Sequence, residues 1–297
     1  MGIDVYQIVT ERIVERMAQG EIPWKKPYRL TGQGMAIKQN GKPYSFVNQM
    51  LLGEPGRYFT FKRASELGFK IKKGAKSRVA VFWKLLERDV LSKNDSGEYE
   101  IAVDGRVPLL RYYRVFHERD VEGYEPPKSN EPEFDESLNK VKIKTADDII
   151  DDYCNTPRGP RLVHQDRIPC YKPSLDYIVL PEKKQFISIS KYYSTLFHEM
   201  IHSTGHADRL DRKLNEGAFN RHSYSREELV AEIGAAYLSN VADLPEQDID
   251  NHASYIQSWM HALKNNPKWI VWASSRAEQA CRLILNEKDD DIEQQES

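Results

Sequence analysis

The sequence predicts an α+β protein in two parts: an N-terminal α/β domain with a small antiparallel sheet, and a C-terminal, mostly helical domain. Two observations support this division. At 297 residues the chain is long enough for two domains. Residues 122–139 are rich in acids and contain three prolines, which is typical of a linker. We therefore expect a first domain over 1–125, a linker over 126–140, a second domain over 141–288 and a frayed acidic tail over 289–297.

Hydrophobic periodicity and turn signals predict the elements of each part. In the first part they indicate a helix over 4–20 and paired strands over 79–86 and 109–117, joined by a polar hairpin tip. Pro181 follows an apolar run over 178–180, so we expect that run to be an edge strand. The other elements expected in the second part are strands over 161–163 and 186–189, and helices over 145–153, 189–204, 226–240, 253–263 and 269–285.

The most informative motif is His198-Glu199-Met-Ile-His202, which has the zinc-hydrolase spacing. On a helix, positions i and i+4 lie on one face, so the two imidazoles can bind one metal ion. Glu199 can reach a water molecule activated by that metal and act as general base. A structural zinc site fills all four positions with Cys and His, whereas this pattern leaves one for water. The motif therefore predicts a catalytic site for Zn²⁺, or for another divalent metal such as Mn²⁺.

Two histidines leave a catalytic zinc one protein ligand short, and a glutamate of the 226–240 helix is the favoured third. Glu232 lies in an apolar, alanine-rich stretch, where a carboxylate is costly to bury without a cation. Glu228 is the alternative, one turn earlier. Because Ser225 and Glu228 have the spacing of a capping box, Glu228 has a local role at the start of the helix. We therefore favour Glu232.

Two further third-ligand candidates follow the motif. Asp208 completes a metzincin-like spacing with Asp in place of His, but Met260, the residue that would form a Met-turn, lies in a helical pattern. His206 comes four residues after His202, and Gly205 ends the helix between them. We rank both below the two glutamates.

The net charge of −2 conceals a strong asymmetry. Residues 24–84 contain 14 Lys and Arg against 2 Asp and Glu, interleaved with aromatic residues. Exposed aromatic side chains stack on bases and cationic side chains contact phosphates, so the pattern predicts binding of single-stranded DNA. Phe46, Tyr58, Phe59 and Phe61 are assigned to the core instead. The candidate DNA-binding residues are Trp24, Lys25, Lys26, Tyr28, Lys42, Tyr44, Asn48, Lys62, Lys72, Lys73, Lys76 and Trp83.

Composition favours a cytoplasmic protein with no membrane partner. The sequence contains neither an apolar run of membrane-spanning length nor the pattern of a signal peptide. Its 3 cysteines are scattered and lack metal-binding spacing, which fits thiols in a reducing compartment.

Two groups of motifs resemble a known family. The first comprises the segments 4–13, 23–27 and 41–44, with Asn48 and Leu51-Leu52, and it resembles the N-terminal single-stranded-DNA-binding domain of ArdC-type antirestriction proteins. The second comprises 192–205 and 227–237, and it resembles the zincin-like metallopeptidase domain that follows in that family. Related domains occur in plasmid primases.

The resemblance implies a plasmid protein that protects incoming conjugative DNA from host restriction. Its partners would be single-stranded DNA and a host restriction protein or another DNA-associated protein as peptide substrate. The alternative is a protein that coats single-stranded DNA and uses its metal for structure or regulation. A role as a primase accessory ranks last, because nothing in the sequence resembles a primase active site.

Overall fold

The computed structural model describes residues 4–25, 35–93, 99–126, 145–212, 225–244 and 253–287, without the side chains of 85–93, 99–107 and 253. The predicted linker beyond residue 126 and the predicted acidic tail lie outside these residues, as do Lys26 and Tyr28. None of the helices in the described ranges is long and apolar enough to cross a membrane.

The first half begins with helix α1 (Val5–Ala18), where the side chain of Asp4 accepts a hydrogen bond from the backbone N–H of Tyr6 at 2.9 Å. Its apolar face is buried, as the periodicity predicts. The remaining elements are α2 (Phe46–Leu52), α3 (Phe61–Glu66), β1 (Ala36–Lys38), β2 (Gly56–Phe59), β3 (Lys70–Ile71), β4 (Arg78–Lys93), β5 (Tyr99–His117) and β6 (Val121–Glu122).

The sheet of the first half is mostly antiparallel, as predicted, with one parallel pair added at its edge. Its strand order is β1-β2-β5-β4, with β1 parallel to β2 and the other pairs antiparallel; β3 and β6 form a separate two-stranded sheet. The β4–β5 hairpin is also longer than predicted, because its register continues to the pair Lys93 and Tyr99. Backbone hydrogen bonds maintain a hairpin beyond its apolar part, where the alternation of side chains gives no signal.

In the described residues of the second half, a small sheet lies beside five helices. The elements are α4 (Ala146–Cys154), β7 (Arg161–His164), β8 (Cys170–Lys172), β9 (Tyr177–Leu180), α5 (Ile189–Ser203), α6 (Arg226–Val241), α7 (Ala253–Asn265) and α8 (Trp269–Leu285). The strand order is β7-β9-β8, so β9 is central and the predicted edge position of 178–180 is wrong. Pro181 ends that strand, while the three-residue β8 was too short to predict. The predicted strand over 186–189 is not formed, because residues 186–188 have no regular structure and Ile189 begins α5.

The two halves share one apolar core. Buried residues of α1 and α2 belong to the same cluster as those of α5, α6 and α8. Polar contacts reinforce it: the Thr10 hydroxyl donates to the carbonyl of Pro267 at 2.8 Å, and the Phe46 backbone N–H donates to Glu278 at 3.3 Å. The rings of Phe46 and Tyr237 lie 4.3 Å apart. The first half therefore packs directly against the helices that carry the metal motif.

Helices α5 and α6 approach closely at a glycine. A Cβ atom at Gly234 would lie 2.5 Å from the Cδ1 atom of Ile201, a side chain that is fully buried. The absence of a side chain at Gly234 therefore lets α6 come close to α5, and the acidic first turn of α6 faces the histidines of α5.

Candidate metal centre

Both motif histidines lie on one face of α5, as their spacing predicts. The helix begins at Ser188, whose hydroxyl accepts a hydrogen bond from the backbone N–H of Lys191 at 3.1 Å. His202 is almost fully buried, whereas His198 is 22% exposed and borders solvent. Their Nε2 atoms are 3.1 Å apart. Two imidazole nitrogens thus converge on one point at the edge of the core.

Glu228 completes a three-residue cluster with the two histidines. Its Oε2 atom is 3.3 Å from Nε2 of His198, and its Oε1 atom is 3.5 Å from Nε2 of His202. Among the described residues, these three side chains form the one cluster of His, Cys, Asp or Glu that could hold a metal ion. Tetrahedral coordination with bonds of about 2.0–2.2 Å places ligand atoms about 3.3–3.6 Å apart, so the cluster has the dimensions of one face of such a site. The donor set of two imidazoles and one carboxylate suits a divalent metal.

Glu232, the third ligand that the sequence favours, lies apart from the two histidines in the structure. Its Oε2 atom lies 3.9 Å from Nζ of Lys25, and it is not part of the metal cluster. The capping argument against Glu228 failed because only the backbone of that residue takes part in the cap. The hydroxyl of Ser225 accepts the Glu228 backbone N–H at 3.2 Å, while the Glu228 carboxylate faces the histidines.

The two lower-ranked candidates also lie outside the cluster. The Asp208 side chain is 82% exposed and its Oδ2 atom is 3.7 Å from Nδ1 of His206. Met260 is within helix α7, so it does not form a Met-turn.

A buried ion pair orients His202, and the sequence reasoning missed it. The Nδ1 atom of His202 lies 3.4 Å from Oε1 of Glu227, which leaves Nε2 to face the metal position. Arg212 donates to both oxygens of Glu227, from Nη2 at 2.7 Å and from Nε at 3.1 Å. The same guanidinium, 2% exposed, also donates to the hydroxyl of Thr204 and the carbonyl of Ile201. The acid-rich start of α6 was visible in the sequence, but its pairing with Arg212 was not.

The electrostatics favour a cation at this point. Burial alone disfavours the charged imidazole of His202, but its hydrogen bonds to the carboxylates of Glu227 and Glu228 outweigh that effect and raise its pKa to about 10. The same histidines hold the pKa of Glu228 well below its ordinary value, despite the opposing effect of burial. Three carboxylates therefore surround the two imidazoles, since Glu199 is also buried, at 7% exposure.

A second buried arginine fixes the chain after the metal helix. Arg209 donates from Nε to the carbonyl of Ser203 at 2.8 Å and from Nη1 to Asp176 at 3.0 Å. The Tyr171 hydroxyl also donates to Asp176, at 2.7 Å. The end of α5 is thereby attached to the turn between β8 and β9.

The predicted DNA-binding residues that the structure describes differ in their exposure. Trp24, Tyr44 and Asn48 are all buried, with 3–4% exposure, so in this structure they are not part of an exposed surface. Trp24 packs against the second half, and Asn48 bonds through its side chain to the backbone of Val81. Their loop positions beside Pro and Lys indicated exposed aromatic rings. The two halves pack around one core, however, and this packing buries the rings.

A basic surface nevertheless remains on the first half. Lys62, Lys72, Lys73 and Lys76 are exposed, and Lys42 is half-buried. Trp83 is 43% exposed. Phe61, which we assigned to the core, is 67% exposed. It directly follows the helix cap Thr60 and is therefore the first residue of a short surface helix. This position explains why its side chain points outward. Phe61 and Trp83 are therefore the exposed aromatic residues near these lysines in sequence.

Comparisons with known proteins agree with this geometry. A family model described as a zincin-like metallopeptidase matches residues 152–276, and one described as the N-terminal domain of the anti-restriction factor ArdC matches residues 3–116. The fold and the site thus define a protein with a zincin-like metallopeptidase domain behind an ArdC-type N-terminal domain.

Two crystal structures cover nearly the whole chain. The metal-free antirestriction protein ArdC from plasmid R388 is 30% identical, covers 96% of this chain and 98% of its own, and has a TM-score of 0.67. Its Mn(II)-bound form is 29% identical, covers 97% and 100%, and has a TM-score of 0.68. The chain belongs to the ArdC family of antirestriction proteins.

Curated relatives include longer proteins. The DNA primase TraC of Escherichia coli is 31% identical over 299 residues, which is 94% of this chain and 20% of that protein. A second TraC from the same species is 29% identical and is covered to 28%. The chain therefore spans between a fifth and about a quarter of the primases it matches. The protein y4eC of Sinorhizobium fredii is 28% identical and is covered to 90%.

Proposed function

We propose that this protein is a cytoplasmic antirestriction protein that binds single-stranded DNA during plasmid conjugation and hydrolyses a peptide bond in a DNA-associated host protein. The observation that carries the hydrolytic part is the three-sided cluster of His198, His202 and Glu228. The cluster provides three ligand positions and His198 borders solvent, which leaves a fourth position for water or substrate. Zn²⁺ is the favoured ion, and the Mn(II)-bound relative supports a divalent metal more broadly.

The chemistry would be divided between the metal and the chain. When bound, a divalent ion supplies Lewis-acid activation of water and of a peptide carbonyl. His198, His202 and Glu228 would hold it, and Glu227 keeps the imidazole of His202 in the orientation that presents Nε2. Glu199, buried on the same helix between the two histidines, would take the proton from the attacking water and pass it to the leaving amine.

The DNA-binding part of the proposal rests on charge and exposure. The exposed lysines at 62, 72, 73 and 76 lie in the stretch with 14 basic and 2 acidic residues. Phe61 and Trp83 add exposed rings, and stacking with cationic contacts is how proteins bind single strands without sequence preference. The similarity to the antirestriction protein ArdC of plasmid R388 supports an action on DNA.

The deciding experiment compares Glu199→Gln with the wild type in a conjugation-protection assay. We expect the variant to retain metal content and oligonucleotide affinity but to lose protection and peptide hydrolysis. Glu228→Gln is the matched control, which should lose the metal as well. Full protection by Glu199→Gln would refute hydrolysis as the mechanism and favour the alternative, a DNA-coating protein whose metal is structural or regulatory.

A further inference from the structure

Lys25 extends from the first half of the chain to the helices of the metal centre. The preceding residue, Trp24, is buried, and its ring meets that of Trp259 on α7 edge-on at 6.1 Å. This contact anchors the turn that carries Lys25. The Nζ atom of Lys25 then lies 3.9 Å from Oε2 of Glu232 and 4.6 Å from the ring centroid of Tyr255. A side chain of the first half is therefore part of the surroundings of α6.

The position of Lys25 relative to the metal ligands follows from helix geometry. Glu232 comes one turn after Glu228 on α6, so their Cβ atoms are about 6 Å apart on the same face. On α5, exposed Lys191 precedes His198 by two turns, or about 10 Å. Lys25 is close enough to both Glu232 and Lys191 for its charge to interact with theirs. Lys191 thus lies two turns from His198 along α5, and Lys25 lies beside Glu232, one turn from Glu228 along α6.

Among the described side chains, Lys25 is paired with one carboxylate, that of Glu232, and a second ammonium group, that of Lys191, is near enough for its charge to act on Lys25. Burial lowers the pKa of Lys25 despite the opposing charge of Glu232, and repulsion from Lys191 adds to the lowering. The side chains of Lys25 and Glu232 are 23% and 25% exposed, so both remain accessible to a ligand. A second carboxylate would neutralise the remaining positive charge, and its attraction to the lysines is stronger at a partly buried site than in open water.

We propose that Lys25, together with Lys191, forms a subsite for a carboxylate of the peptide substrate. An extended peptide advances about 3.3 Å per residue, so a carboxylate at this point belongs two or three residues from the bond that is cleaved. It is supplied either by an Asp or Glu side chain or by the C-terminus of the peptide. This inference rests on the proposed peptidase function and adds its substrate class, an acidic peptide.

The test measures peptide binding to the full chain carrying Glu199→Gln, with and without Mn²⁺, so that turnover is not needed. The probes are alanine–serine hexapeptides with one Glu moved through the positions, matched peptides with Gln, and all-neutral peptides with a free or amidated C-terminus. We expect peptides with Glu at one or two of the positions, or with a free C-terminus, to bind about fivefold more tightly than the matched neutral peptides. That ratio corresponds to the free energy of one modest ion pair.

Substitutions then test which side chains cause the preference for a charged peptide. Lys25→Met should abolish it, Lys25→Arg should retain it, and Glu232→Gln should increase it by removing the competing carboxylate. The last result distinguishes a charge-binding role from a structural one. Lys264→Met, on an exposed face of α7, is the matched control and should leave the preference unchanged. Thermal unfolding of each variant verifies that its fold is retained.

The outcomes separate the subsite from the proposed function. Equal binding of charged and neutral peptides, no binding of any peptide, or a preference that persists in Lys25→Met would each overturn the subsite. Hydrolysis is measured in parallel on the protein with intact Glu199. Cleavage without an acidic preference contradicts the subsite alone, whereas an acidic preference without cleavage contradicts the peptidase and supports the subsite.

Discussion

The Oε1 atom of Glu227 lies 3.4 Å from Nδ1 of His202 and accepts a hydrogen bond from Arg212 at 2.7 Å. One carboxylate thus connects a metal ligand to a buried guanidinium. Contacts of this kind fix the orientation of a metal-binding imidazole and raise its basicity, and their loss costs about 10- to 100-fold in metal affinity.

Glu227→Gln should therefore weaken binding of Zn²⁺ or Mn²⁺ by about 10- to 100-fold, as measured by chelator competition. It should also lower the free energy of unfolding by about 3 kcal/mol, because Arg212 is left buried without its anionic partner. Adding Arg212→Met should recover much of the stability but not the metal affinity. Recovery of both would show that Glu227 acts only through packing.

Glu228→Gln and Glu232→Gln form a matched pair on one helix. The first removes a proposed ligand, so we expect metal affinity to fall by more than about 100-fold. That is the upper value for the loss of a contact that only supports a ligand. The second removes the partner of Lys25 and should leave metal affinity close to that of the wild type. Calorimetric titration of metal-free protein measures both. The reverse order of effects would restore Glu232 as the third ligand.

Asp176→Asn should make stability less dependent on pH in the acid range. Burial acts to raise the pKa of Asp176, but hydrogen bonds from Arg209 and Tyr171 outweigh it and hold the pKa below its ordinary value. The carboxylate therefore contributes its stability above the unfolded pKa of about 3.9, and that contribution is lost as the pH falls through the lower, folded value.

Denaturant unfolding at a series of pH values tests this expectation. At neutral pH the variant should be less stable by about 2–4 kcal/mol, because the Arg209 side chain is 3% exposed and would lose its anionic partner. The difference from the wild type should shrink at pH values below about 4. A constant difference across the series would contradict the assignment to this ion pair.

Replacing Lys72, Lys73 and Lys76 by Gln should weaken binding of an oligo(dT) strand and flatten its salt dependence. Each lost phosphate contact lowers the slope of log K against log salt by about 0.7 for a single strand. Fluorescence anisotropy over a series of NaCl concentrations gives that slope. The charge-matched control replaces Lys172, Lys184 and Lys264 on the second half, which are equally exposed. An equal effect of both triple variants would remove the assignment to this surface.

The metal motif could be predicted from the sequence because its geometry is local. The i, i+4 spacing of His198 and His202 places both imidazoles on one helical face, whatever surrounds the helix. The third ligand depends instead on how α6 crosses α5. The sequence could not show that Gly234 allows a close approach, or that Ser225 would cap the backbone of Glu228 and leave its carboxylate free.

The exposed aromatic surface was predicted less well, for a related reason. Trp24 and Tyr44 stand beside Pro and Lys, which suggests a loop in water, yet both are buried. Trp24 is covered by α7, more than two hundred residues away in sequence. Phe61 was assigned to the core on hydrophobicity alone, although its place after the cap Thr60 turns it outward. Whether a loop residue is buried depends on the segment that packs over it. The residues next to it in sequence do not indicate which segment that is.

The common core of the two halves bears on how such proteins are assembled from genes. A recombination that separated α1 and α2 from α6 and α8 would leave each fragment with an open apolar face. The heritable module is therefore the pair, not either half. The match to the TraC primase of Escherichia coli has that form: it runs through 94% of this chain, across both halves, while occupying 20% of the larger protein.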